Sequence, residues 1–326
     1  MIEALPLDEL AAKIRGSRGL AAKRDIAAVV GRLGLSAASA IRVGDDCAAI
    51  PDRDGFVLLA IEGFINDFVA RDPWFAGWCG IMVNVSDVAA MGGRSLAAVD
   101  AVWATSEAEA APVLDGMRAA SEMFRVPLVG GHTNTRSDRL QLSVAILGRA
   151  KCLLTSFDAR PGDRLVAAID LRGRYREPFS NWEAATNAPA ERLRADLELL
   201  PSIAESGFSV AAKDISQAGL LGTAIMLAEC SSAGARIDVT RVPKPESVAL
   251  ERWLLSFPSY GYLLAVAADN LSQVLARFAA RAIAAADIGS FTADRRVVIE
   301  AGALSETIWD FAREPLIGCA RAEAFA

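Results

Sequence analysis

Between residues 57 and 148 the sequence reads as strand, helix, strand, helix, strand, strand, and that order constrains the fold more than any other feature. Residues 57–61 form a short apolar run, and residues 96–103 alternate, so both read as strands. Residues 74–91 have helical spacing and stop at Gly92-Gly93, where a left-handed cap suits glycine. Residues 107–124 repeat the helical pattern, with Pro112 in the first turns. Pro127-Leu128-Val129 then runs into Gly130-Gly131-His132-Thr133, and residues 140–148 are another strand. Strands interleaved with helices imply an α/β half.

Ahead of this half, residues 7–34 read as two short helices around Gly16-Ser17-Arg18-Gly19. After it, Arg160-Pro161-Gly162-Asp163 is a turn that marks a boundary, giving expected domains at 1–155 and 156–326. The second half reads as a strand at 164–169, a long loop at 172–187 and a helix at 190–207. A short strand at 211–215, a helix at 219–234 and a strand at 236–239 follow. A helix at 250–256 and strands at 262–267, 282–291 and 296–299 complete it. The chain has 326 residues, long enough for two domains, and its 53% apolar and 23% charged content suits a soluble globular protein.

A net charge of -6 argues against a nucleic-acid partner. No run of about eighteen uncharged apolar residues is present, so no membrane span is expected. The first ten residues carry Glu3, Asp8 and Glu9 and no apolar core, unlike a secretory signal. Cysteines 47, 79, 152, 230 and 319 are scattered without a Cys-x-x-Cys, which speaks against a disulfide framework or structural zinc. A cytoplasmic protein with reduced thiols is expected.

Four clusters carry the chemistry. In Val43-Gly44-Asp45-Asp46-Cys47-Ala48, neighbouring carboxylates of an extended segment point to opposite faces. Two readings stay open there: an Asx-turn with solvated carboxylates, or an oxygen-rich Mg²⁺ site. Asn84 and Asp87 are three apart on the first long helix and share a face, and the mostly apolar residues around them imply burial, so both need partners. The Gly130-Gly131 pair before His132 and Thr133 offers backbone N–H groups to phosphate. His132 is the single histidine, placed either as a structural residue or in proton transfer. Asp214 ends a strand just before a helix, where it either caps the helix or faces a ligand. Lys23, near Arg15, Arg18 and Arg24, belongs to a basic, glycine-containing segment able to close over polyphosphate or simply to form a solvated face. Glu62 is a further carboxylate at a strand end. No P-loop, Gly-x-Gly-x-x-Gly or Gly-x-Ser-x-Gly motif is present.

Taken in order, the clusters resemble the aminoimidazole ribonucleotide (AIR) synthetase superfamily, over about residues 10–310. Gly44-Asp45-Asp46-Cys47-Ala48 and Asn84-Val85-Ser86-Asp87-Val88 are close to the thiamine monophosphate kinase pattern. Gly130-Gly131-His132-Thr133 is nearer the selenophosphate synthetase form, and Asp214-Ile215-Ser216 with Gly219-Leu220-Leu221-Gly222 mixes the two. The nearest branch is that of the AIR synthase-related proteins grouped with methanogenesis marker protein 2. The resemblance implies an α/β (α+β) two-domain fold, with an N-terminal domain that forms a β-barrel shared across a homodimer and a C-terminal mixed sheet with helices. It implies ATP and Mg²⁺ as cofactors, with Asp45, Asp46, Glu62, Asp87 and Asp214 at the metal. It also implies that Lys23, Asn84, Gly130, Gly131 and Thr133 place the nucleotide, and that Asp87 and His132 are catalytic.

Departures narrow the substrate. Ile61-Glu62 replaces the usual Thr-Asp, His132 replaces an Asp, and Ser216-Gln217-Ala218-Gly219 loses a carboxylate. Fewer anionic ligands argue against thiamine phosphate as substrate. Residues 16–23 hold no cysteine, which argues against selenide chemistry, and seven residues follow Cys319, unlike the carbamoyl dehydratase terminus. The expected function is an ATP- and Mg²⁺-dependent phosphotransferase or ATP-activating synthase acting on a small molecule. The alternative is a nucleotide-binding partner protein without turnover. The loop at 172–187 is the expected chooser of the acceptor.

Overall fold

A computed structural model describes residues 6–35 and 41–319. Residues 1–5, part of the N-terminal stretch read above as unlike a signal, and residues 320–326 after Cys319 lie outside the described residues. In chain order the elements begin with α1 (Leu7–Arg15), α2 (Arg18–Arg32), β1 (Ala48–Asp52), β2 (Gly55–Gly63), α3 (Asn66–Arg71), α4 (Pro73–Ala90), β3 (Gly93–Trp103) and α5 (Glu107–Phe124). They continue with β4 (Leu128–Asn134), β5 (Gln141–Ala150), β6 (Arg164–Ile169), β7 (Arg174–Tyr175), β8 (Asn181–Glu183), α6 (Ala190–Leu197), α7 (Leu199–Glu205) and β9 (Ala211–Asp214). The chain ends with α8 (Gly219–Cys230), β10 (Gly234–Asp238), α9 (Leu250–Leu254), β11 (Phe257–Pro258), β12 (Gly261–Val266), α10 (Leu271–Ala279), β13 (Ala284–Thr292), β14 (Arg296–Ala301) and β15 (Leu304–Asp310).

The residues fall into two compact units that a single cut at 155 does not reproduce. Among the described residues the smaller comprises 46–153 and 188–205; the larger comprises 6–35, 41–45, 154–187 and 206–319. Side chains explain both exchanges. Leu7, Leu10, Ala11, Ile14 and Leu20 of α1 and α2 are buried in the core of the larger unit. Residues 188–205 are tied to the smaller one: Arg94 of β3 forms ion pairs with Glu198 and Glu205, and Arg194 donates to the Met123 carbonyl at 2.8 Å.

In the smaller unit five strands lie in the order β1-β2-β5-β3-β4, antiparallel except for β3 and β4. Helix α4 begins where Asp72 caps it and Pro73 supplies a pre-set φ. It is buried on nearly every side, as its apolar sequence requires. Helix α5 starts at Ser106, whose side chain accepts from Glu109 N, while Glu109 reaches back to Thr105 N at 2.6 Å. The two helices cross at glycines: a Cβ on Gly116 would lie 1.9 Å from the Trp74 carbonyl oxygen, and one on Gly77 2.0 Å from that of Val113. Helix α4 packs on one face of the sheet and α5 packs on α4; alternate residues of the strands face away from α4.

In the larger unit seven strands run β15-β14-β10-β13-β6-β12-β9, with β10 and β14 the parallel pair. Its core combines β6, β12 and β10 with the fully buried α8. The stretch read as a loop at 172–187 contains β7 and β8, which join β11 in a small third sheet. Trp182 anchors it, edge-on to Tyr175 and to Trp253 with ring centres 5.2 Å away in each case. Helix α10 and strand β15 are elements absent from the sequence reading above.

Candidate functional site

The first candidate group is in the smaller unit and is built on α4. Asn84 and Asp87 share a helix face and are buried, at 0% and 4% exposure. Asn84 is anchored by its amide nitrogen, which donates to Gly80 O at 2.8 Å and to Val144 O of β5 at 3.1 Å. Its Oδ1 accepts no hydrogen bond among the described residues. Asp46 lies just before β1, and Asp46 and Asp87 each bring a carboxylate oxygen within 4.8 Å of the other's. Two ionised carboxylates at this spacing repel, a cost that a cation removes. Glu62 of β2 is cross-strand to Val144 and so lies on the face covered by α4.

Strand β4 carries the glycine motif. Gly130, Gly131, His132 and Thr133 are all within the strand, not in a loop after it, and all are exposed. Gly131 pairs with Asp100 and Thr133 with Val102, on the helix-covered face. His132 alternates to the open face, its ring 5.9 Å from that of Trp103. His132 and Asp87 are therefore on opposite sides of one sheet.

The second group is in the larger unit. Both oxygens of Asp45 are engaged by one residue: Ser156 Oγ donates to Oδ1 at 2.6 Å and Ser156 N to Oδ2 at 2.8 Å. The buried Lys213 of β9 donates to Ser156 Oγ at 3.4 Å. Asp214 ends β9, buried at 4% exposure. Helix α8 has Ala218 at its N-cap and no side-chain cap, so neither Asp214 nor Ser216 caps it. Lys23 is on α2, half-buried, and the basic segment around it is helical. Two of its neighbours are committed to the same unit: Arg15 donates to Thr307 O at 2.9 Å, and Arg24 pairs with Glu314 and lies over the Trp309 ring.

Three site-region residues escaped the motif reading. Ser156 holds Asp45 from a distant point in the chain and Lys213 in turn reaches Ser156, and no local pattern marks either contact. Asp100 left a signal: it is the one acid within the apolar stretch 96–103.

Known proteins share this organisation. The family profile described as AIR synthase related protein, N-terminal domain, matches residues 44–150, and the corresponding C-terminal domain matches residues 176–302. An uncharacterised protein of Synechocystis sp. is 45% identical over 318 residues, 96% of this chain and 98% of the relative. A thiamine-monophosphate kinase of Halobacterium salinarum is 28% identical over 215 residues, covering 64% of this chain and 72% of that protein. Among solved structures, T. maritima PurL complexed with ATP superposes with a TM-score of 0.69 at 18% identity, over 84% of this chain. This chain spans only 46% of that PurL. AaThiL complexed with AMPPCP and TMP superposes with a TM-score of 0.65 at 20% identity, over 86% of this chain and 94% of that one. The chain belongs to the AIR synthase-related family, through both its N-terminal and its C-terminal domain.

Proposed function

We propose that this protein is an ATP- and Mg²⁺-dependent phosphotransferase or ATP-activating synthase that acts on a small molecule as a homodimer. The observation that carries the reading is the Asp46–Asp87 pair, with carboxylate oxygens within 4.8 Å. Oxygen-only donors suit a hard cation, and opposite ligands of Mg²⁺ stand about 4.2 Å apart, so small side-chain rotations close the pair on the ion. The Asn84 Oδ1, buried without a hydrogen bond among the described residues, fits a site that gains a partner when loaded. Bound Mg²⁺ supplies charge neutralisation for phosphoryl transfer. Asp46 and Asp87 hold that charge in place, and the exposed Gly130–Gly131 backbone offers itself to phosphate oxygens. Asp214 is, by sequence position, the candidate for a further carboxylate. ATP use is supported by the kinase relatives and by the nucleotide complexes of structural neighbours.

The homodimer is supported by the open face of the five-stranded sheet. Ile50, Leu59, Ile61, Val99 and Leu147 are exposed there on four adjacent strands, where a second copy closes two sheets into a barrel. His132 faces the same way, so a proton-transfer role for it belongs to the assembled dimer.

Calorimetric titration with a non-hydrolysable ATP analogue and Mg²⁺ tests the reading. Asp87→Ala is expected to lower affinity by about 100-fold or more, roughly the 3 kcal/mol that a buried charged contact is worth. Wild-type affinity in a folded Asp87→Ala protein removes the metal assignment.

A further inference from the structure

The larger unit holds two of the five cysteines, Cys230 and Cys319, and the proposed function uses neither. Both are free thiols and both are buried, at 0% and 6% exposure. Cys230 is the last residue of α8, and Cys319 follows a segment that is fastened to the same helix end. Glu229, the residue before Cys230, accepts hydrogen bonds from the backbone N–H groups of Leu316, Ile317 and Gly318. That clamp spans 89 positions of chain between Glu229 and Gly318, and it carries Cys319 back to Cys230.

The two sulfurs converge on Gly44. A Cβ on Gly44 would lie 2.9 Å from Cys319 Sγ and 3.4 Å from Cys230 Sγ, so both sulfurs border one point that a side chain at 44 would fill. Gly44 has φ +114°, a conformation that glycine adopts freely and other residues do not. Each thiol donates to a carbonyl: Cys230 Sγ to Gly44 O and Cys319 Sγ to Ile317 O, both at 3.5 Å. A thiol is a weak donor, so little is lost when these bonds are given up. A disulfide of about 2.05 Å needs both sulfurs to turn from those carbonyls toward the point they share.

Burial pushes the Cys319 thiol up to about 11, with Glu229 adding and Lys213 opposing. Burial also pushes Cys230 well above its ordinary value, with Lys213 opposing and Asp45, Cys319 and Glu229 adding. Sulfurs that hold their protons this firmly are poor leaving groups, so a bond between them exchanges slowly with monothiols. Cys319 keeps a little exposure and Cys230 has none, so a small oxidant meets Cys319 first. We infer that Cys230 and Cys319 form a redox modification site, which closes to a disulfide under hydrogen peroxide. The Cys319 sulfur attacks one peroxide oxygen, the O–O bond breaks, and the thiol proton leaves in a water molecule, giving a sulfenic acid. The Cys230 sulfur then displaces the hydroxyl, which leaves as water with the second thiol proton. Two thiols and one hydrogen peroxide become one disulfide and two waters. The bond ties the segment after β15 to the end of α8, beside the glycine that precedes Asp45.

The test treats the folded full chain with hydrogen peroxide, alkylates the remaining thiols, and maps the digest by mass spectrometry. A peptide pair joining Cys230 to Cys319, two hydrogens lighter than the free peptides together and separated by dithiothreitol, is the expected product. Cys319→Ser, treated alike, should yield no linked peptide and leave Cys230 open to alkylation after unfolding. Absence of the linked pair from folded wild type, with Cys319 carried instead to sulfinic or sulfonic acid, overturns the inference and leaves both residues as packing. Linkage of either residue to Cys47, Cys79 or Cys152 in its place overturns it too.

Discussion

At the scale of single residues, the clearest commitment is a buried carboxylate that ties down the C-terminal segment. Glu229, near the end of α8, accepts from Leu316 N and Ile317 N through Oε2, at 3.1 and 2.9 Å, and from Gly318 N through Oε1 at 3.0 Å. Glutamine cannot replace it, because its amide group would face at least one of these N–H donors with another donor. Glu229→Gln should cost about 2 kcal/mol, visible as a lower Tm and as faster hydrogen exchange at residues 316–318. Burial outweighs the three donors and pushes this carboxyl above its ordinary value. A carboxyl raised in the folded state gives stability that is full below the unfolded value and is lost as pH rises through the folded one. The Tm gap between wild type and the non-titrating Glu229→Gln should therefore narrow as pH rises from about 4 toward neutrality. A gap that widens over that range contradicts the sign of the shift. The adjacent carboxylates Asp45 and Asp46 teach a related lesson. Alternation predicts that neighbours point apart, and they do part: Ser156 takes Asp45, while Asp46 approaches Asp87.

At the scale of elements, the open sheet face has a testable consequence. Ile61 is 69% exposed on β2, paired with Ala145 of β5 and two residues from Leu59. On a free surface, Ile61→Asp would change little; in a buried interface it places an unpaired charge out of water. If this face forms the proposed homodimer, light scattering after size exclusion should show Ile61→Asp dissociating, with a Kd at least about 100-fold weaker than wild type. An unchanged mass at micromolar concentration tells against this face as the contact. Most of the elements in this unit were legible because their periodicity is strong: α4, α5, β3 and β5 fall within a few residues of the sequence reading. Helix α10 and strand β15 were not read, although Leu271, Val274, Leu275 and Phe278 of α10 stand at helical spacing and its buried Val274 and Phe278 follow it. The small sheet of β7, β8 and β11 was read as loop because strands of two or three residues form only when tertiary packing, here around Trp182, supplies partners.

At the scale of the whole molecule, ligand binding and stability are linked. A nucleotide that binds only the folded protein raises its stability by RT ln(1 + [L]/Kd), about 2.7 kcal/mol at a hundredfold excess over Kd. Mg²⁺ with an ATP analogue should therefore raise the Tm of wild type by several degrees and leave Asp87→Ala nearly unmoved, as scanning fluorimetry can show. Equal shifts in both proteins would place nucleotide binding elsewhere.

The sequence by itself determined most of the longer helices and strands, because those follow from the spacing of apolar residues along a few turns or pleats. It also determined the order of the motifs that place the chain in its family. Which side of a sheet a side chain faces, and what it meets there, was left to tertiary structure. Register put His132 on the open face and Asp100 against Gly131. Chain-distant contacts gave Asp45 to Ser156, and gave the N-terminal helices to the unit built mainly from the C-terminal half. Local pattern fixes conformation; pairings between residues a hundred positions apart depend on close packing that no short window of sequence contains.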